Sequence, residues 1–160
     1  MLIRLTKAKN EGKQDRLTCV RDDGSQTSWP LSSHFAQHDL LHYVVETTLG
    51  LEEAFFGLIA KGREIDSFGT RDGQKDIYTK DEGDTELIVG LLQGQMQTGS
   101  LPGHDEFLAI LTLTCEKRNW TMPQYLSEQQ LDDIKQKISA LEGKWQRLPA
   151  GEALELVFPM

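Results

Sequence analysis

The stretch Arg16-Leu17-Thr18-Cys19-Val20-Arg21-Asp22-Asp23-Gly24-Ser25-Gln26-Thr27-Ser28-Trp29-Pro30 changes character within a few residues. It gives way to Ser33-His34-Phe35-Ala36-Gln37-His38-Asp39-Leu40-Leu41-His42-Tyr43-Val44-Val45-Glu46. The first half reads as strand, turn, strand. Arg16–Arg21 is β-friendly, Asp23-Gly24 supplies the positive φ of a tight hairpin, and Gln26–Trp29 forms a second run that Pro30 should end. The second half has no two-residue alternation. Its apolar positions recur at helical spacing, Ser33 can cap it, and Gly50 stops it after Leu49.

Working outward, Leu2–Ala8 is a further strand, joined to Arg16–Arg21 through a polar turn at 10–13. Near the far end Leu154, Leu156 and Phe158 alternate with Glu155 and Val157. Strands drawn from both ends of the chain pair most simply into one small antiparallel sheet. The interior is helical. Short helices are expected over Leu51–Ala60, from an Asp84 cap to about Met96, and from an Asp105 cap to about Lys117. A longer one follows Ser127, where Gln130 completes a capping box and Leu131, Ile134, Ile138, Leu141 and Trp145 repeat every three or four residues. Residues 63–83 read as a polar surface loop containing at most one turn or short strand. Asp81-Glu82-Gly83-Asp84 within it reads as a turn, as does Arg71-Asp72-Gly73. The expected architecture is one α+β domain, mostly helical, with a small antiparallel sheet built from both chain ends.

With 160 residues, 17 Lys plus Arg and 25 Asp plus Glu, the chain carries a formal charge of −8. Its length suits a single domain whose core needs no disulfide or structural metal. The acidic balance argues against a nucleic-acid partner, which would require a basic face. No apolar run approaches the roughly 20 residues that cross a bilayer. The amino-terminal segment has no signal-peptide pattern, and Cys19 and Cys115 have no metal-type spacing, so the expectation is a cytoplasmic protein with two reduced, half-buried thiols.

Chemistry concentrates on the helix. His34, His38, His42 and Glu46 are four apart, each step advancing about 40° around the axis and about 6 Å along it. The opposite side carries Leu40 and Val44, so the helix is apolar nearly all round and should be buried. Buried imidazoles and carboxylates need partners. A metal ion is one solution and a hydrogen-bond network is the other. His38 and His42, at i and i+4, can turn two nitrogens to one ion, zinc being the divalent metal that fits best. His-Asp-x-x-His then has the shape of the His-Glu-x-x-His zinc hydrolase helix with its acid one methylene shorter, and Asp39 would be the general base acting on water held by the metal. Glu46 lies about 12 Å along the helix from His38, so its expected role is to orient the second imidazole or to add a ligand, which makes Asp39 and Glu46 the expected catalytic acids. The third ligand must come from elsewhere, with His104, Glu52 and Glu53 as candidates. His34 reads as a capping-region residue and His104 as a surface residue. Phe55-Phe56-Gly57-Leu58-Ile59 reads as core. The other reading of the helix is a structural polar core inside a non-enzymatic interaction module, with its contacts in the 62–83 loop and the tail.

His38-Asp39-Leu-Leu-His42-Tyr-Val-Val-Glu46-Thr-Thr-Leu-Gly50-Leu51, with Ala54-Phe55-Phe56-Gly57 after it, resembles a family of small uncharacterised bacterial proteins. These carry a His-Asp-x-x-His-[Tyr/Phe]-x-Val-Glu helix followed by a Phe-Gly segment. Asp23-Gly24-Ser25 and the tail from Trp145 to Phe158 share the likeness, which covers roughly residues 21–62 and 124–158. The resemblance marks His38, Asp39, His42 and Glu46 as the signature and implies no established activity.

Overall fold

The computed structural model describes residues 1–10, 12–32, 35–68, 79–97, 99, 101–123 and 126–159. The α+β expectation holds. Strands β1 (Leu2–Thr6), β2 (Asp15–Val20) and β3 (Gln26–Leu31) precede helices α1 (Phe35–Leu49) and α2 (Phe55–Ala60). A 3-10 turn at Ile65–Phe68 comes next, then α3 (Lys80–Gln97), α4 (His104–Arg118), α5 (Glu128–Arg147) and strand β4 (Ala153–Val157). The sheet is antiparallel in the order β3-β2-β1-β4, so the last strand of the chain closes on the first.

Register follows the side-chain period of two. Ile3 pairs with Cys19 and Leu156, and Leu5 pairs with Leu17 and Leu154. A one-residue slip would turn this whole apolar row to water. The row joins one continuous core with Leu40, Leu41, Val44 and Val45 of α1 and with Leu131, Ile134 and Ile138 of α5. Helix α1 is therefore the hub, packed against α5, α3 and α2.

Several boundaries differ from the sequence reading, each for a local reason. β3 runs through Pro30 to Leu31, which an edge strand tolerates because one side of its backbone needs no partner. α2 begins at Phe55 rather than Leu51. Gly50, at φ +68°, ends α1, and the Leu51 amide turns back onto the Glu46 carbonyl at 3.0 Å. α3 begins at Lys80, so Asp81-Glu82-Gly83-Asp84 is helix, not turn, and Asp84 is no cap. The cap is Thr79, whose hydroxyl accepts from the Glu82 amide at 3.0 Å while its own amide donates to the Glu82 carboxylate at 2.8 Å. α4 is preceded by Gly103, with Asp105 in its first turn. The capping box of Ser127 and Gln130 forms as expected.

Cys19 and Cys115 are free but fully buried, not half-buried. Burial, with the Asp39 carboxyl nearby, pushes the Cys19 thiol up to about 12, far from any reactive range. Ser33, His34 and Arg71-Asp72-Gly73 lie outside the described residues. Among the described residues no helix is long and apolar enough to cross a membrane.

Candidate metal centre

Three elements meet over one stripe of α1. The helix places His38, His42 and Glu46 in line, α2 covers the Glu46 end, and α3 runs alongside with Glu86 and Gln93. Glu46 is buried at 1% exposure, and both of its oxygens are used. Oε1 stands 3.2 Å from His42 Nδ1, and Oε2 accepts from the amides of Phe56 and Gly57 at 2.9 and 3.3 Å. Gly57 is where α2 comes closest to its own lead-in. A Cβ there would sit 2.2 Å from the Glu52 carbonyl oxygen, so only glycine lets the amide reach Glu46.

The other histidine is anchored in the same manner. His38 Nδ1 lies 3.1 Å from Gln93 Oε1. Because a carboxylate and an amide oxygen are both acceptors, each ring in its neutral form carries its hydrogen on Nδ1 and presents a lone pair at Nε2. Those two Nε2 atoms face one another at 3.1 Å, and Glu86 Oε1 lies 3.4 Å from that of His42. One ligand atom each from His38, His42 and Glu86 falls within 4.8 Å of the others. Three electron-rich atoms converging in this way require a positive charge among them.

A proton can supply it. Burial disfavours an imidazolium at His42, but the carboxylates of Glu46 and Glu86 overcome this and hold its pKa up to about 9. His38 is pushed the other way, by burial and then by the charge on His42. The hydrogen bond from His42 draws Glu86 below the usual carboxylate range. A divalent ion can supply the charge equally well. With zinc–nitrogen bonds of about 2.0–2.1 Å, two ligands on a tetrahedral ion stand about 3.3 Å apart, close to the observed 3.1 and 3.4 Å, while the His38–Glu86 pair, within 4.8 Å, would have to draw in.

Asp39 is 5% exposed, and its Oδ2 has no hydrogen-bond partner. Burial pushes its pKa up to about 7. It lines, with His38, His42 and Glu86, a cavity of about 500 Å³ whose remaining walls come from β2, β3, α2 and the Ile65–Phe68 turn. The rings of Phe35, Phe55 and Phe68 stand in edge or tilted contact with the histidines and with each other, at centroid distances of 4.7 to 6.0 Å. Phe55 thus faces the site, while Phe56 is the core residue.

The structure brings together His38, His42, Asp39 and Glu46 and leaves out the three candidates for a further ligand. His104 is not a surface residue. It opens α4, half-buried, with Nε2 donating to the Leu126 carbonyl at 2.7 Å. Glu53 is paired with Lys61, which also lies 4.0 Å from Glu52. Glu86 takes the place intended for them. It and Gln93 are seven residues apart, two helical turns, so they share a face of α3, and that spacing is the signal the sequence reading passed over. Comparison of the chain with protein-family models, with curated proteins and with solved structures found no match.

Proposed function

We propose that the protein binds one divalent metal ion, zinc in the first place, through His38, His42 and Glu86. The observation that carries this is the convergence of two imidazole lone pairs and a carboxylate whose opposite sides are already anchored, His38 by Gln93 and His42 by Glu46. Such outer hydrogen bonds fix the tautomer and raise the basicity of ligating histidines. Two histidines and one carboxylate with a fourth position free are the donor set of hydrolytic zinc sites, and here all three residues line the cavity. Bound there, the ion would supply a Lewis acid. Asp39, next to His38 in sequence and on the cavity wall, is the candidate general base of such a hydrolase. Glu46 positions His42 and touches neither cavity nor ion.

Tag-free protein titrated with zinc by calorimetry, with metal counted by mass spectrometry, tests the proposal. One zinc per chain is expected, with uptake abolished in His42→Ala and weakened roughly 10- to 100-fold in Gln93→Ala, which leaves the ligands in place. Zinc must displace the His42 proton, so affinity should rise as pH goes from 6 to 8. Ferrous ion, which the same donor set can hold, belongs in the titration as competitor. If the wild type takes up neither ion, the proton on His42 is the whole answer. The helix is then a structural polar core of an interaction module.

A further inference from the structure

We infer that the cavity beside His38 and His42 takes an aromatic acyl compound, a flat ring body joined to a carbonyl-type oxygen donor. The ring would lie among the aromatic walls, and the oxygen would complete the coordination of an ion held by His38, His42 and Glu86. The head therefore rests on the metal reading; the body rests on the walls alone.

Those walls favour a flat apolar body. Trp29 of β3, Phe35 of α1, Phe55 of α2 and Phe68 of the 3-10 turn line the cavity, together with Leu17 and Ile65. Its volume of about 500 Å³ is that of a small-molecule site. Trp29 and Phe35 are 47% and 53% exposed, so large aromatic surface is left open to water here. The rings also reach the donor atoms. Phe35 stands edge-on to His38 at 6.0 Å, Phe55 tilts against His42 at 5.5 Å, and Phe68 meets Phe55 at 4.7 Å. Ring-to-ring contacts add to what area burial alone provides, which favours a ring over a chain.

The far wall is already fixed. Arg63 is held to Glu82 at 2.9 Å and lays its guanidinium 4.0 Å from the centre of the Phe68 ring. The other acids of the lining are engaged or turned aside. Glu86 meets His42 at 3.4 Å, Asp39 is 5% exposed and offers little surface, and Asp66 lies open to water. Of the three donors His42 is sealed, His38 is half-buried and Glu86 is exposed. A head group therefore approaches along the His38–Glu86 side.

Three hydroxamates carry one oxygen-donor head on different bodies: 2-naphthohydroxamate, octanohydroxamate and acetohydroxamate. Calorimetric titration into zinc-loaded and metal-free protein, with retained zinc counted, tests both parts. On zinc-loaded protein the naphthyl probe should bind roughly 50-fold tighter than acetohydroxamate, or more, because only the buried body differs. It should bind about three-fold tighter than octanohydroxamate through its ring contacts. Removing zinc should weaken it about ten-fold without abolishing binding. Phe35→Ala and, independently, Trp29→Ala should each weaken the naphthyl probe roughly five-fold and leave acetohydroxamate unchanged. Equal binding of the naphthyl and acetyl probes, tighter binding of the octanoyl chain, or indifference to both substitutions overturns the inference. If no zinc is taken up, the head assignment falls with the metal. The body then stands only if the naphthyl probe binds metal-free protein and loses affinity in Phe35→Ala. Zinc uptake without a ring preference removes the ligand class alone.

Discussion

Glu46 and Asp39 are carboxylates seven residues apart on one helix, both buried, at 1% and 5% exposure, and they are treated in opposite ways. At the Glu46 end every oxygen is engaged, by an imidazole and two amides, and α2 closes over it. At the Asp39 end one oxygen is sealed in without a partner, on a residue that stands in the wall of a cavity. The first arrangement fixes the fold at that point. The second leaves an unmet polar demand inside it, which the fold tolerates without repaying.

Substitutions at the closed end should break the contrast most severely. Glu46→Ala leaves His42 Nδ1 and the amides of Phe56 and Gly57 unpartnered in the interior, and chemical denaturation should show a loss of roughly 3–5 kcal/mol. At the open end the expected effect has the opposite sense. The folded state holds the Asp39 proton up to about pH 7, whereas the unfolded chain releases it near 4. The native state thus binds more protons across that window, and stability falls as pH rises through it. Asp39→Asn removes this dependence. Between pH 5 and 8 the stability difference should move in favour of the variant by about 2–3 kcal/mol, measured on metal-free protein. A flat difference would mean that Asp39 is not desolvated and that the two ends are alike. The mildest case is Gly57→Ala, which forces the new methyl against the Glu52 carbonyl and shifts the amides off Glu46. It should cost roughly 1–3 kcal/mol by denaturation.

The same two ends differ in how far the sequence disclosed them. Glu46 as partner of His42 could be read from i,i+4 spacing alone, because both sit on one helix and helical geometry is local. The sheet was readable for a related reason, since alternation in Leu2–Thr6 and Leu154–Leu156 fixes which side faces inward whatever the partner. The α5 start was visible in the Ser127–Gln130 box. The Thr79–Glu82 box has the same form but sits inside a loop-like run, so the sequence reading starts α3 five residues late. Glu86 and Gln93 can be grouped on one face by their seven-residue spacing, but local reading does not assign that face to the site. Nothing near them says which helix will lie against α1, and the histidine-to-α3 contacts span 44 and 55 residues of chain. The missing hydrogen-bond partner of Asp39 Oδ2 is harder still. It is a statement about what fails to surround an atom, and only the packed fold decides that.

The pairing of β4 with β1 has a bearing on how the protein comes into being. Leu2–Thr6 has β2 on one flank early, but its other flank stays bare until residues 153–157 have been added and have travelled back to it. Because a closure of this span is entropically slow, the hairpin of β1 and β2 waits on the ribosome with an unpaired margin through most of synthesis. A chain halted before Ala153 would keep that margin, and with it a template for sticking to its neighbours.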